Sequence, residues 1–430
     1  MGGLTAEVEA AVAEAFRQEW GRVVATLIRV TGDWDLAEEC AQEAFALALE
    51  RWPRDGLPRR PGAWLTTAAR NRAVDRLRRR STEAAKLREV ATMTANDREV
   101  AATAANDDAF DSGDDSGVPD DRLRLIFTCC HPALPLEARV ALTLRTLTGM
   151  TTAEIARAFL VTEATMAKRL VRAKSKISNA RIPYRVPPAH LLPERTGSVL
   201  AVLYLLFNEG YSASAGADLV RRDLCAEAIR LARLLTRLMP DEPEAYGLLA
   251  LMLLHHARRA TRVDAAGDLV TLERQDRTRW DRGEIDEGVA VLETALRHDR
   301  PGPYRLQAAI AACHATAADA ADTDWAQIAE LYGQLVQVVP SPVVKLNQAV
   351  AVAMADGPAA GLALVEDLHA AGELNGYYLL PATRADLLRR LNRRTEAAAA
   401  YREALDLART EAERRYLADR LAEITADGES

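Results

Sequence analysis

The chain has little of what a β-protein, a secreted protein or a membrane protein needs. Aromatic residues make up only 5% of it, and with its abundance of alanine this argues against a β-sandwich or barrel and for helix. No run reaches the roughly eighteen uninterrupted apolar residues of a membrane span, and the opening MGGLTAEVEA has neither the basic nor the apolar segment of a secretory signal. The expected location is therefore cytoplasmic, with no membrane contact. Five cysteines, an odd number with only Cys129 and Cys130 close together, make no disulfide framework and fit a reducing compartment. A glycine-rich phosphate loop and a nucleophile elbow are both missing, and there is no histidine pair beyond His255–His256. Neither enzyme chemistry nor a cofactor is expected.

What is present is 430 residues, too many for one ordinary core. Their net charge of −7 hides a segregation. Residues 51–80 hold ten Arg against two Asp, 81–121 hold three basic against eleven acidic residues, and 122–182 hold eleven basic against three acidic. The remainder, 183–430, is acidic again, 28 against 36. Two basic blocks that keep helical periodicity are candidate nucleic-acid surfaces, because phosphate neutralisation dominates such binding. The alternative for each is a solvated arginine-rich helix face.

Apolar spacing predicts helices from Glu7 to Arg80, broken by Pro53, Gly56, Pro58, Pro61 and Gly62 before a last helix over 63–80. Residues 94–120 are small, acidic and nearly free of large apolar groups, which predicts a flexible linker over 81–120. A second helical unit follows over 121–181. A helix from Leu136 to Leu147 ends at Gly149, Thr151 and Glu154 form a capping box, and a helix from about Glu163 to Ser178 comes after a short turn. Met166, Leu170, Ala173 and Ile177 line one side of that last helix, while Thr165, Lys168, Arg169, Arg172 and Lys176 line another. A DNA-reading helix needs this division between a packed face and a free basic face.

Residues 182–224, containing VLAVLYLLFNEGYSAS, read as a docking helical subdomain. From 225 to 424 four helix–turn–helix segments align, starting at Ile229, Val289, Ile328 and Leu362, with Pro240, Pro301 and Pro340 at equivalent turns. An insertion, VDAAGDLVTLERQDRTRWDRGE, lengthens the interval before the second. Helical hairpins cannot bury their apolar faces alone, so an α-solenoid of tetratricopeptide-like (TPR-like) repeats is expected. Cys129, Cys130 and His131 invite a zinc or redox reading. Adjacent cysteines diverge by about 100° on a helix and no second Cys/His pair stands near, so packing is expected and no metal.

Glu39, Gln42 and Glu43 in an acidic helix, then Pro61–Gly62–Ala63–Trp64–Leu65 running into Ala69–Arg70–Asn71–Arg72–Ala73–Val74–Asp75, then a linker and a terminal helix-turn-helix, resemble an extracytoplasmic-function sigma factor of the sigma-70 family. The match covers about residues 10–180, and the whole chain, with Phe127 to Pro132 and its helical tail, resembles the subgroup with a long C-terminal extension. The resemblance implies an all-α fold: two small sigma modules, the second a helix-turn-helix, joined by an acidic linker and followed by a helical subdomain and a TPR-like α-solenoid. It implies that residues 7–80 serve the polymerase clamp and minus-ten element, and 121–181 the minus-thirty-five element. Glu39, Gln42 and Glu43 would lie on the β′ clamp, with the β flap as a further polymerase contact. Asn71, Arg72 and Arg76 would face the minus-ten element behind Trp64, a core anchor. Thr165, Lys168 and Arg172 would approach minus-thirty-five base edges, with Arg169 and Lys176 on phosphates. Core RNA polymerase, promoter DNA and a protein or peptide partner of the tail are the implied partners. Two other functions remain: a one-component DNA-binding transcriptional regulator whose solenoid senses a ligand or partner, and a scaffold with incidental basic helices.

Overall fold

A computed structural model describes residues 2–94, 121–159, 161–212, 219–262, 264, 270–298, 302–408 and 411–426. Among them are eighteen α-helices and no strand, so the chain is all-α. They divide into two compact units, Met1–Val202 and Leu203–Ser430.

In the first unit α1 (Gly2–Thr31), α2 (Trp34–Asp55) and α3 (Pro61–Thr94) pack on one another. Asp33 caps α2 by accepting from the amides of Asp35 and Leu36, both at 3.0 Å. Pro53 does not end α2; it sits in the last turn, and Gly56 at φ 84° closes the helix. The rings of Phe16, Trp20 and Phe45 join α1 to α2 with centroids 4.9 to 6.0 Å apart. One expectation changes: α3 does not stop at Arg80 but runs on to Thr94, into the segment expected to be linker. Residues 81–94 hold Ala, Glu, Lys, Leu, Arg and Met without Gly or Pro, good helix formers despite their position before the acidic stretch. The rest of the expected linker lies outside the described residues.

Then come α4 (Asp121–Cys129), α5 (Leu136–Thr143), α6 (Thr152–Ala158) and α7 (Glu163–Asn179). The helix expected to run regularly to Leu147 instead widens into a π turn over Leu144–Thr148. The hydroxyls of Thr146 and Thr148 donate to the carbonyls of Leu142 and Leu144 at 2.8 and 2.7 Å, and α1 lies directly on the turn. A Cβ on Gly21 would stand 2.8 Å from the Leu147 carbonyl oxygen, and one on Gly149 (φ 79°) would strike the Phe16 ring at 2.6 Å. Gly149 is thus required by its left-handed backbone and by contact. The region before α8 (Leu192–Ser212) is tied back by Tyr184, whose hydroxyl donates to the Ala25 carbonyl at 2.9 Å.

The second unit holds the rest of α8, α9 (Leu219–Leu238), α10 (Pro243–His256), α11 (Arg282–Leu296), α12 (Pro303–Thr316), α13 (Trp325–Val338), α14 (Pro342–Ala355), α15 (Pro358–Ala371), α16 (Leu379–Arg390), α17 (Arg394–Leu407) and α18 (Glu411–Ala426). The four segments aligned in the sequence are the successive pairs α9–α10 to α15–α16. Pro301 lies outside the described residues; α10, α12, α14 and α15 each begin on a proline, where its missing N–H costs nothing. Apolar clusters follow one another along the pairs: Leu251, Leu254, Ile285 and Leu292, then Leu306, Ile310, Ile328 and Leu335, then Leu346, Val365, Leu388 and Tyr401. The boundary expected at 224 falls inside α9, which packs on α10. Residues 219–238 hold neither glycine nor proline, so nothing in the sequence breaks the helix there.

Candidate nucleic-acid interface

Helix α2 buries Leu36, Ala37, Cys40, Ala41, Ala44, Phe45, Ala48 and Trp52 and leaves Glu39 and Gln42 exposed and Glu43 half-buried. Across from it α3 buries Leu65, Ala69 and Ala73, which turns Arg72 and Arg76 along the α2 edge. Arg76 pairs with both Glu39 and Glu43, Arg72 Nη1 reaches Glu43 at 3.3 Å, and Arg80 Nη1 reaches Asp33 at 2.9 Å. Two groups of residues assigned from the sequence to different partners therefore form one ion-pair ladder. Asn71 is exposed beside it and Gln42 has no part in it. The Trp64 ring meets that of Trp52 edge-on at 5.6 Å, in keeping with an anchor for the start of α3.

Helix α7 is the second basic surface. Thr162 caps it by accepting from the Thr165 amide at 3.2 Å, and the capping box of Thr151 and Glu154 opens α6. Met166, Leu170, Ala173 and Ile177 are buried. Thr165, Lys168, Arg169, Arg172 and Lys176 all line one concavity of about 650 Å³, closed on the other side by residues 133–138 at the start of α5. Among the described residues none of these four cations makes an ion pair. The face has a lining of four cations and one carboxylate, Glu137, with no ion pair among the described residues, next to a helix-turn-helix start, and such a surface attracts phosphate.

The Sigma-70 region 2 profile matches residues 15–83, and that of Sigma-70 region 4 matches residues 124–177. These spans are the α1–α3 group and the α4–α7 group. A third profile, described as a family of unknown function (DUF6596), matches residues 195–296. An uncharacterized protein of Rhizobium meliloti (strain 1021) is 46% identical over 407 residues, 94% of each chain. The chain belongs to the sigma-70 family. This is a family of non-enzymatic transcription initiation factors, and membership implies core RNA polymerase and promoter DNA as partners.

In this sigma-70-family chain one feature of the site escapes sequence reasoning. Glu38 is 6% exposed, and its carboxylate accepts from Arg145 Nε at 2.9 Å and from Lys174 Nζ at 2.8 Å. Lys174 also reaches Asp35 at 2.8 Å, and Arg29 on α1 reaches Asp121 at 3.0 Å. The region 2 and region 4 helices are thus interlocked within one unit. The available signal was a carboxylate seven residues before Phe45 and three before Ala41, on the apolar stripe of α2. The cysteines are buried between α4 and α5 and the π turn: Cys129 Sγ lies 3.3 Å from Thr146 Oγ1 and Cys130 Sγ 3.7 Å from Thr143 Oγ1. Burial raises both thiols, Cys130 to about 11. His131 Nδ1 accepts from the Ala133 amide at 3.1 Å at the helix end. No helix among the described residues is long and apolar enough to cross a membrane.

Proposed function

We propose that this chain is a cytoplasmic sigma factor that directs core RNA polymerase to specific promoters and helps to open them. Glu39, Gln42 and Glu43 take the β′ clamp, Asn71, Arg72 and Arg76 the minus-ten element, and Thr165, Lys168, Arg169, Arg172 and Lys176 the minus-thirty-five element, with the region 4 module on the β flap. The tail is a TPR-like solenoid with a regulatory or partner-binding role. The observation that carries the reading is the cationic face of α7, which makes no ion pair among the described residues, in a region 4 module that follows a region 2 module whose own arginines lie along a second helix.

The interlock adds a step. A compact body of 202 residues is roughly 40 Å across, whereas promoter elements centred about 25 base pairs apart lie roughly 85 Å apart along B-DNA. Region 2 and region 4 must separate to reach both, so the Glu38 cluster has to break when polymerase and promoter are engaged. Run-off transcription with purified core polymerase tests the function: transcripts from particular promoters should appear only when the full chain is added. A one-component regulator would bind promoter DNA alone and yield no transcript in this assay, which would refute the sigma reading.

A further inference from the structure

The sequence insertion between α10 and α11 is used in the second unit to wall a cavity. Its described part turns through Leu272–Arg274 and Arg277–Arg279 and is anchored by Trp280, whose Nε1 donates to Thr261 Oγ1 at 2.9 Å. Arg277 is only 7% exposed. Its Nη1 donates to the carbonyls of His314 and Ala317 at 2.7 and 2.8 Å and its Nη2 to Thr323 Oγ1 at 3.2 Å. Every one of these acceptors is neutral. Among the described residues Arg277 has no carboxylate within ion-pair distance, and its Nε has no hydrogen-bond partner. An unpaired buried guanidinium is expensive, by several kcal/mol in general, unless an anion meets it.

The cavity that Arg277 lines measures about 230 Å³ and gathers Arg389, Arg390, Arg420, His314, Trp325 and Tyr416 on its other walls. Two more buried nitrogens there lack a partner among the described residues, Arg389 Nε and His314 Nδ1. The carboxylates of the lining are already engaged: Asp386 holds Arg389 at 2.5 Å and Arg390 at 2.7 Å, and Glu273 faces Arg390 at 3.6 Å. Arg420 is paired outside the cavity with Glu423 at 2.7 Å, and Asp319 and Asp322 act on Arg277 only from beyond ion-pair distance, so Arg277 is the cation of this lining with no ion pair among the described residues. A second cavity of about 280 Å³ shares Thr271 and Tyr416 with the first; Val270, Leu379, Ala382 and Leu417 give it an apolar wall, with Arg262, Tyr378 and Glu413 on the rest of its lining. A chamber holding the unpaired Arg277 and one with an apolar wall thus stand side by side.

We propose that the second unit binds a small amphipathic carboxylic acid, its carboxylate on Arg277, Arg389 and His314 and its apolar body along Leu379, Ala382 and Leu417. The burial that holds His314 neutral, with a value near 4, suits it to donate from Nδ1 rather than to add a further charge. Charge-assisted hydrogen bonds fix the head, and the apolar chamber separates a chain-bearing acid from acetate or inorganic phosphate. This site depends on nothing in the promoter reading.

The test is calorimetric titration of the full chain with octanoate, acetate, octan-1-ol and inorganic phosphate. Octanoate should bind saturably at one site, tighter than any of the other three. Arg389→Gln removes one head contact without touching the backbone-anchored Arg277, and should weaken octanoate by about tenfold to a hundredfold. Ala382→Phe fills the apolar chamber and should weaken it comparably, with circular dichroism unchanged in both variants. No saturable octanoate binding, or binding that both variants leave intact, overturns the site. Phosphate binding as tightly as octanoate overturns the amphipathic class.

Discussion

Glu38→Gln is the sharpest perturbation of the interlock. The replacement keeps size and shape but removes the charge that Arg145 and Lys174 share, and places an amide N–H₂ toward one of two cations whose side chains are 16% and 15% exposed. Breaking a buried pair by removing one partner costs about 3–5 kcal/mol. Lys174 keeps Asp35, but that side chain is 86% exposed and screened, so the lower end applies, about 3 kcal/mol. At about 1.4 kcal/mol per tenfold, the packed arrangement of region 2 and region 4 should lose roughly a hundredfold in population against the separated one. Single-molecule energy transfer between dyes at exposed Glu50 and Ser178 in the full chain should show a new, longer-distance population, while helical content stays constant. A cycle with Lys174→Met should give a coupling of about 1–2 kcal/mol. If Glu38→Gln leaves the distance distribution as in the wild type, Glu38 does not hold α2 to α7, and the required opening must be controlled elsewhere.

The other expectations concern surfaces and thiols. Arg172→Ala or Lys168→Ala should cost about 1–3 kcal/mol at one promoter position and relax discrimination there, whereas Lys176→Ala should weaken all promoter variants alike and lower the salt slope by about one; equal effects of all three on every sequence would remove the base-reading assignment. Glu39→Gln with Glu43→Gln should weaken core polymerase binding yet raise the free chain's affinity for a single-stranded minus-ten oligonucleotide several-fold, read by fluorescence anisotropy, and loss of both affinities together would contradict the ladder. Maleimide at neutral pH should label half-buried Cys313 well before Cys129 or Cys130. Because burial raises Cys130 from its ordinary 9.0 to about 11, the unfolded chain loses that proton first, so stability should be intact below pH 9 and fall as pH rises through 11; flat stability across that window in urea titrations would show the thiol is not buried.

How far the sequence spoke depended on how local each cause was. The face of α7 was legible because a 3.6-residue period fixes which side chains share a side, and Met166, Leu170, Ala173 and Ile177 are buried as their spacing demands. The capping box of Thr151 and Glu154 is equally local. The end of α3 is not legible from the acidic stretch that follows, because residues 81–94 are charge-balanced and keep a helix-forming composition, and the depleted stretch begins later. The π turn at Leu144–Thr148 lies against α1, where Gly21 passes close to Leu147, a contact across more than a hundred residues that no window contains. Glu38 and Arg277 are the same case. Glu38 is a charge on the apolar stripe of α2, whereas Arg277 stands among charged residues in LERQDRTRWDRGE and carries no local signal of its burial; the partners of both come only from the fold.

The two basic surfaces differ in what must be given up before DNA can be held, and magnitudes separate the consequences. On α7 the four cations make no ion pair among the described residues, so phosphate contact there displaces counterions rather than any of the ion pairs described. On α3, Arg72 and Arg76 must first leave Glu43 and Glu39, residues that the proposed clamp contact would itself engage. Clamp and minus-ten binding then share ion pairs, so each favours the other, and the linkage is reciprocal. Its size is bounded by exposure: these side chains are 30% to 55% exposed, and pairs of that kind are worth about 0–1 kcal/mol each. The ladder therefore tunes promoter engagement by several-fold. The buried Glu38 cluster, at about 3 kcal/mol, is the larger barrier: on the proposed reading, parting region 2 from region 4 decides whether both promoter elements can be reached, while the Glu39 and Glu43 ladder, which lies wholly within α2 and α3, adjusts only the minus-ten contact.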